Sequence, residues 1–156
     1  MDSRFNLAKQ WPAGYDAMEA FHRTVADQGL ERPLIELVKI RASQINGCAF
    51  CIDMHTKDAL ALGESDERLH LVAAWQEAPV FTERERAALA FTEAVTLVAD
   101  THVPDDAYEL AGSQFPGDEL VKLLFAIVAI NAWNRLAITA RSTAGRYRSS
   151  LTPADA

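Results

Sequence analysis

The chain has 156 residues, of which 49% are hydrophobic and 24% charged, a composition typical of one ordinary globular domain and unlike that of a disordered or repetitive chain. The 15 basic and 22 acidic side chains give a formal net charge of −7, which excludes the broad positive field of a general nucleic-acid binder. The first residues, MDSRFNLAKQ, contain no apolar signal segment, and the most apolar run, 123–130, is shorter than the roughly 20 residues that span a bilayer. We therefore expect a cytoplasmic protein that binds neither nucleic acid nor membrane.

Apolar residues at helical spacing, with capping and stop residues between them, predict an all-α fold of six or seven helices. Ser65 and the Thr82–Glu85 capping-box pattern mark two helix starts. The predicted helices run from Tyr15 to Gln28, from Pro33 to Gly47, from about Cys48 to Leu62, from Ser65 to Pro79, from Thr82 to about Val98, from Pro104 to Gln114, and from Asp118 as cap to near Gly145.

The remaining segments are expected to be irregular. Residues 1–14 form an arm or a disordered lead, 100–103 form a loop, and the polar tail from Arg146 is frayed. We thus expect a single domain over 1–156 with its core in about 15–145. The last helix is apolar nearly all round between Leu120 and Ile138, which predicts burial in a bundle or in the interface of a homo-oligomer.

Cys48, Cys51 and His55 form the most informative pattern in the chain. Spacings of three and four residues place the three side chains on one face of a helix. The positive end of the helix dipole favours a thiolate near Cys48, whereas His55 lies one turn from Cys51 and can take up its proton. Because a nearby base contributes more to rate than the dipole, we expect Cys51 to be the attacking thiol and Cys48 its partner.

Glu36 joins this group across the predicted turn at Gly47. If the flanking helices run antiparallel, Glu36 lies ~13 Å before the end of the first and His55 ~10 Å after the start of the second, at 1.5 Å per residue. The two side chains therefore come roughly level. A carboxylate at that position fixes the imidazole tautomer and raises its basicity, which indicates a proton relay from Glu36 through His55 to Cys51.

The pattern E-x(11)-C-x(2)-C-x(3)-H, filled by Glu36, Cys48, Cys51 and His55, resembles the core of the AhpD-like alkyl hydroperoxidases in the carboxymuconolactone decarboxylase superfamily. The flanking KIRASQINGC and the late segment INAWNRLA are similar to the same family. The resemblance covers roughly residues 15–145 and implies an all-helical bundle with the CxxC pair in a central hairpin. Family members that decarboxylate a lactone generally lack the cysteine pair, so that activity is not implied.

The resemblance implies a thiol-dependent peroxidase that reduces hydrogen peroxide or alkyl hydroperoxides. By position, Cys51 attacks the peroxide, Cys48 resolves the product as a disulfide, and His55 and Glu36 relay protons. A thiol of unspecified identity regenerates the pair. No cofactor and no metal are expected, and the family suggests a homotrimer or homohexamer.

Two other classes of function remain open from the residues. One is a general dithiol oxidoreductase or redox sensor. The other is a non-catalytic helical assembly protein, with a structural disulfide or with zinc bound by the two cysteines, His55 and Glu36. The remaining histidines, His22, His70 and His102, are assigned no role, and the aromatic residues Trp75, Phe125 and Trp133 are interpreted as packing residues. The group of Asn131, Asn134 and Arg135 is expected to be structural and to satisfy buried helix neighbours or to form a contact between subunits.

Overall fold

The computed structural model describes residues 2–156, and every regular element in that range is helical, which confirms the predicted all-α class. Two of the helices, α1 and α7, have four residues each; the other seven match the expected number. Short 3₁₀ turns lie at Val72–Ala74 and Pro153–Asp155. The α-helices are α1 (Leu7–Gln10), α2 (Pro12–Ala26), α3 (Arg32–Asn46), α4 (Ala49–Ala61), α5 (Asp66–Leu71), α6 (Glu83–Thr96), α7 (Val98–Thr101), α8 (Asp105–Gln114) and α9 (Glu119–Ala140).

Helix α3 lies at the centre of the bundle and contacts α4, α6 and α9. It is apolar on two faces, because Leu37 and Val38 are neighbours in sequence and point about 100° apart. Leu37 packs in a cluster with Leu89 of α6, and Val38 packs in a second cluster with Ile127 of α9. All four are fully buried, and each contributes about 1.5–3 kcal/mol of hydrophobic stabilisation.

The turn between α3 and α4 determines how the two central helices meet. Gly47 adopts a left-handed conformation with φ 71°, which an L side chain would strain. The N–H groups of Gly47 and Cys48 donate to the carbonyls of Gln44 and Ser43 at 3.2 and 2.9 Å, so two of the last four carbonyls of α3 are satisfied. Helix α4 therefore starts immediately after α3 and folds back against it, as the predicted hairpin requires.

A buried amide network joins α9 to this hairpin. Asn46 Nδ2 donates to the side-chain oxygens of Asn131 and Asn134 at 2.9 Å each. Asn134 Nδ2 donates to Ser43 Oγ at 3.0 Å, and Asn131 Nδ2 donates to Thr96 Oγ1 at 3.0 Å. Because buried amides are stable only when hydrogen-bonded, this network sets the position of α9 against α3 and α6. The structural role predicted for the two α9 asparagines agrees with these contacts.

Helix α9 is the single helix of the described range whose length and hydropathy would suffice to cross a membrane. It packs against α2, α3, α4 and α6, and we therefore interpret it as the core helix of a bundle. Its outer side exposes Val121, Phe125 and Val128, each by about half of its surface (54%, 50% and 46%). Spacings of four and three residues place these three side chains on one face.

Both ends of α9 differ from the prediction. Asp118 stands at the N-cap but its side chain pairs with Lys122 Nζ at 3.0 Å and makes no capping hydrogen bond. The helix ends at Ala140, before the predicted stop at Gly145, because Arg141 takes a left-handed conformation with φ 55°. The N–H of Ser142 then closes on the carbonyl of Ala137 at 2.9 Å.

The segments expected to be irregular are more ordered than predicted. Of the predicted arm, residues 2–14 contain α1 and the start of α2, whereas Met1 lies outside the described residues. The Arg4 N–H donates to the carbonyl of Ala140 at 3.0 Å. The loop expected at 100–103 holds the end of α7. The tail from Arg146 is not frayed, because the carbonyl of Tyr147 accepts a hydrogen bond from Lys57 Nζ at 3.2 Å. These contacts are tertiary, and local sequence carries little sign of them.

The amide network generates a prediction about stability. In Asn134→Ala the hydroxyl of Ser43 and the amide of Asn46 lose buried partners, so we expect the free energy of unfolding to fall by about 2–3 kcal/mol. Urea denaturation of the oxidised protein at pH 7 measures this change. The control Ser113→Ala removes an exposed hydroxyl that bonds only within its own helix, and should lie within about 0.5 kcal/mol of wild type. An equally small effect for Asn134→Ala would contradict the prediction.

Candidate active site

The two cysteines lie at the start of α4 and are joined by a disulfide, with their Cα atoms 5.4 Å apart. Cys48 is the N-cap of the helix and Cys51 lies in its first turn. Each residue is only 1% exposed. The backbone N–H of Cys51 points at Cys48 Sγ at 3.4 Å. A sulfur at this position faces the unpaired amides of a helix start, an environment that stabilises a thiolate once the bond is reduced.

Glu36 and His55 meet across the hairpin as the spacing predicted. His55 Nδ1 lies 2.8 Å from Glu36 Oε2, and both side chains are buried, with residue exposures of 3% and 5%. Because Nδ1 is engaged by the carboxylate, its proton donates to Glu36 in the neutral ring, and Nε2 is left as the acceptor. Nε2 is thus the ring nitrogen that remains able to accept a proton.

Lys39 completes the charge balance of this pair. It lies one turn after Glu36 on α3, and its Nζ donates to Glu36 Oε1 at 2.7 Å. Burial works to raise the pKa of Glu36, but the positive charges that His55 and Lys39 carry when protonated, together with their hydrogen bonds, outweigh it and lower the pKa from 4.5 to about 2. Glu36 is therefore a carboxylate at neutral pH, and its two oxygens have different partners.

Cys51 and His55 line the same cavity, which we call the thiol cavity and whose volume is about 210 Å³. Its walls are mostly apolar, and two of them come from α2 and α9. A small cavity with apolar walls and few polar groups suits a small, weakly polar molecule. The lining residues are Tyr15, Glu19, His22, Val25, Ala26, Ile35, Lys39, Phe50, Cys51, Met54, His55, Ala126, Ala129, Ile130, Trp133 and Ala137.

A second cavity of about 270 Å³ adjoins the Glu36 side of the pair and is closed in part by the C-terminal tail. Tyr147 of the tail donates from its hydroxyl to Asp58 Oδ1 at 2.8 Å. Burial, together with the hydrogen bond and the charge of Asp58, raises the pKa of Tyr147 to about 12, so its proton stays in place at neutral pH. The tail therefore shields the buried carboxylates from solvent.

Sequence reasoning missed four residues around the pair: His22, Lys39, Asp58 and Tyr147. Lys39 and Asp58 lie three residues after Glu36 and His55, so helical periodicity could have found them. His22 reaches the site from α2, and Tyr147 reaches it from the tail. Burial, and after it the positive charge of Lys39, lower the pKa of His22 below its ordinary value, which favours the neutral imidazole. No local sequence pattern relates His22 or Tyr147 to the CxxC pair.

The candidate metal ligands that lie close together in the structure differ from the set expected for zinc. Within residues 2–156 the close-set candidate ligands are Glu36, His55 and Asp58, whose ligand atoms lie within 4.8 Å of one another. The disulfide-bonded sulfurs offer no thiolate for the predicted Cys48–Cys51 pair of ligands. Lys39 on Glu36 and Tyr147 on Asp58 already occupy carboxylate oxygens, so this cluster is built as a hydrogen-bonded network.

The lowered pKa of Glu36 generates a prediction about acid stability. Because the folded pKa lies below the unfolded value of 4.5, the stabilising contribution is complete above about pH 4.5 and is lost as the pH falls toward 2. We expect wild type to lose on the order of 3 kcal/mol more than Glu36→Gln between pH 5 and pH 2. Denaturation curves at several pH values test this, with Glu109→Gln, an exposed glutamate on α8, as the control that should follow wild type. Parallel curves for wild type and Glu36→Gln would refute it.

Known proteins that are similar to this chain include a family whose matched range contains the site residues. The family model of the carboxymuconolactone decarboxylase family matches residues 12–94, a range that includes Glu36, Cys48, Cys51 and His55. An uncharacterised Bacillus subtilis (strain 168) protein, YdfG, is 38% identical over 138 residues, which cover 88% of this chain and 94% of the relative.

Two solved structures have the same fold. A protein of unknown function from Agrobacterium tumefaciens, described as a candidate antioxidant defence protein AhpD, is 45% identical with a TM-score of 0.91, and the match covers 94% of this chain and 100% of that one. A peroxidase-related protein from Ralstonia eutropha JMP134 with an alkylhydroperoxidase AhpD core has a TM-score of 0.77 at 21% identity, covering 89% and 74%, and supports the fold alone. The chain belongs to the carboxymuconolactone decarboxylase family and has its AhpD-like helical fold.

Proposed function

We propose that the protein is a thiol-dependent peroxidase that reduces hydrogen peroxide or alkyl hydroperoxides through a cycle of Cys51 and Cys48. One observation carries the proposal: Cys51 and His55 line one small apolar cavity, and Glu36 engages the far nitrogen of the His55 ring. This arrangement supplies a thiol, a base and a group that orients the base, which are the parts that nucleophilic catalysis by cysteine requires. The matching family and the AhpD-like structures support the same class of reaction.

The first half of the cycle oxidises Cys51. His55 Nε2 takes the thiol proton, and the Cys51 thiolate attacks one peroxide oxygen. The O–O bond breaks, the leaving oxygen takes up a proton and departs as water or an alcohol, and Cys51 becomes a sulfenic acid. Glu36 stabilises the imidazolium that forms in this step. Its lowered pKa keeps it ionised, so the proton stays on His55, from which the leaving oxygen can receive it.

The second half of the cycle stores the oxidation in a disulfide. The Cys48 thiolate attacks the sulfenic sulfur of Cys51, the S–O bond breaks, and hydroxide leaves as water after protonation. The product is the Cys48–Cys51 disulfide, the state seen in the structure. An external thiol then returns both cysteines to the reduced form with two electrons.

We further propose that the protein acts in the cytoplasm as a homotrimer or homohexamer. The α9 face formed by Val121, Phe125 and Val128 supports self-association, because an exposed apolar stripe on a core helix is typical of a subunit contact. The resemblance to the AhpD-like family suggests these particular states.

The test of the cycle is a peroxide-consumption assay on single-cysteine variants. We expect Cys51→Ser to consume no peroxide above the background of free cysteine. Cys48→Ser should react once, stop, and accumulate a sulfenic acid at Cys51, which a dimedone adduct identifies by mass spectrometry. Oxidation of Cys48 with Cys51 spared would reverse the two roles. No reaction faster than that of free cysteine would refute the peroxidase proposal.

The relay is tested in the same assay by His55→Ala and Glu36→Gln. Loss of a positioned base costs about 10²–10⁴-fold in rate, so the first step should slow by that factor in His55→Ala and by less in Glu36→Gln. Circular dichroism checks that each variant remains folded. The dithiol oxidoreductase interpretation applies instead under two conditions. Peroxide turnover is negligible in wild type and in both variants, and the variants reduce a disulfide substrate as fast as wild type does.

A further inference from the structure

The two cysteines of the disulfide face different hollows. Cys51 lines the thiol cavity together with His55, whereas Cys48 does not reach that cavity. Cys48 instead lines a more open concavity of about 340 Å³ between the α3–α4 turn and the end of α9. We call it the outer hollow and define it by Gly47, Cys48, Ala49, Arg141, Ser142 and Thr143. The disulfide therefore separates the peroxide-binding side proposed above from a second approach to the protein.

This separation determines which sulfur an incoming thiol can attack from each side. A thiolate attacks one sulfur of a disulfide in line with the S–S bond and displaces the other sulfur. A thiol that approaches through the outer hollow therefore attacks Cys48 and displaces Cys51. The expelled sulfur then lies on the side of His55, whose imidazolium stabilises a thiolate. Attack from the thiol cavity would strike Cys51 and expel Cys48, which has no such base in the outer hollow.

The outer hollow also has a definite charge. Of the described residues that line it, Arg141 alone is charged and none carries a carboxylate. Within residues 2–156 the Arg141 side chain makes no ion pair and no side-chain hydrogen bond, while its backbone N–H donates to the carbonyl of Ile138 at the end of α9. An unpaired guanidinium in a hollow attracts an anion, so the wall is complementary to negative charge.

We propose that the reductant of this protein is a small thiol carrying negative charge, and that it enters the outer hollow and attacks Cys48. The inference rests on the proposed thiol cycle. The first thiolate forms a mixed disulfide with Cys48 Sγ while the Cys48–Cys51 bond breaks and Cys51 leaves as a thiolate. A second thiolate attacks the donor sulfur of the mixed disulfide and releases Cys48. The products are the dithiol protein and the oxidised donor disulfide, so two electrons move from two thiols to the protein.

The site of attack is tested on the oxidised wild-type protein with 3-mercaptopropionate as the probe. The reaction is stopped with acid after a partial turnover, free thiols are alkylated, and peptides are mapped by mass spectrometry. We expect the mercaptopropionate adduct on Cys48 and the alkyl group on Cys51. Adducts on Cys51 with alkylated Cys48, or an equal mixture of the two, would overturn the inference.

Charge selection is tested by comparing anionic 3-mercaptopropionate with neutral 2-mercaptoethanol and cationic cysteamine. Each rate is divided by that of the same thiol with a small neutral disulfide, which corrects for intrinsic reactivity. The anionic thiol should be favoured, and Arg141→Asn should reduce its advantage about three- to tenfold. Asparagine tolerates the left-handed backbone at this position. Arg23→Gln, an exposed arginine on α2, is the matched control and should retain the preference. An unchanged preference in Arg141→Asn would contradict the charge assignment.

Access is tested by filling the hollow. Thr143 is exposed on its rim, so Thr143→Trp should fold normally and slow reduction by all three thiols at least tenfold. Ala99→Trp, an exposed position on α7, controls for the added indole and should leave the rates unchanged. Wild-type rates in Thr143→Trp would refute entry through the outer hollow. None of these measurements uses peroxide, so failure of the peroxidase proposal and failure of this inference are distinguishable.

Discussion

The buried contact between Glu36 and His55 is the interaction on which the rest of the site depends. A carboxylate removed from water is costly unless positive charge and hydrogen bonds compensate it, and here His55 and Lys39 each take one oxygen at 2.8 and 2.7 Å. The contact requires α3 and α4 to pack antiparallel at close range. The tight turn at Gly47 makes that possible, and it places Cys48 at the start of α4 in the same step.

The same contact gives the thiol pair two chemically different sides. His55 lines the apolar thiol cavity together with Cys51, while Cys48 lies against an open hollow where Arg141 is the charged side chain among the described lining residues. The tail adds a second layer, since Tyr147 covers Asp58 next to the pair. Under the two proposals, peroxide reacts in the apolar thiol cavity and the reductant enters through the charged outer hollow. The two reactants would then not compete for one opening.

The central parts of the site were predictable because they depend on helical spacing alone. The four-residue interval placed Cys51 and His55 at one cavity, and a turn at Gly47 brought Glu36 level with His55. Cys48 does not share that cavity, because it is the N-cap of α4 and lines the outer hollow. The roles of these residues stay predictions. His22 and Tyr147 were missed because α2 and the tail reach the site only through tertiary packing, which no local pattern encodes. The early end of α9 was missed because a left-handed arginine, at Arg141, replaced the glycine stop expected at Gly145.

The most direct test of the Glu36–His55 couple as the activator of Cys51 is the rate at which iodoacetamide alkylates Cys51 in the reduced Cys48→Ser protein. Alkylation reports the reactive thiolate without involving peroxide or a reductant. At pH 7 we expect Cys51 to react faster than free cysteine in the same solution, and to lose at least tenfold when His55→Ala is added. A rate that is the same with and without His55 would contradict the assignment of His55 as the base that serves Cys51.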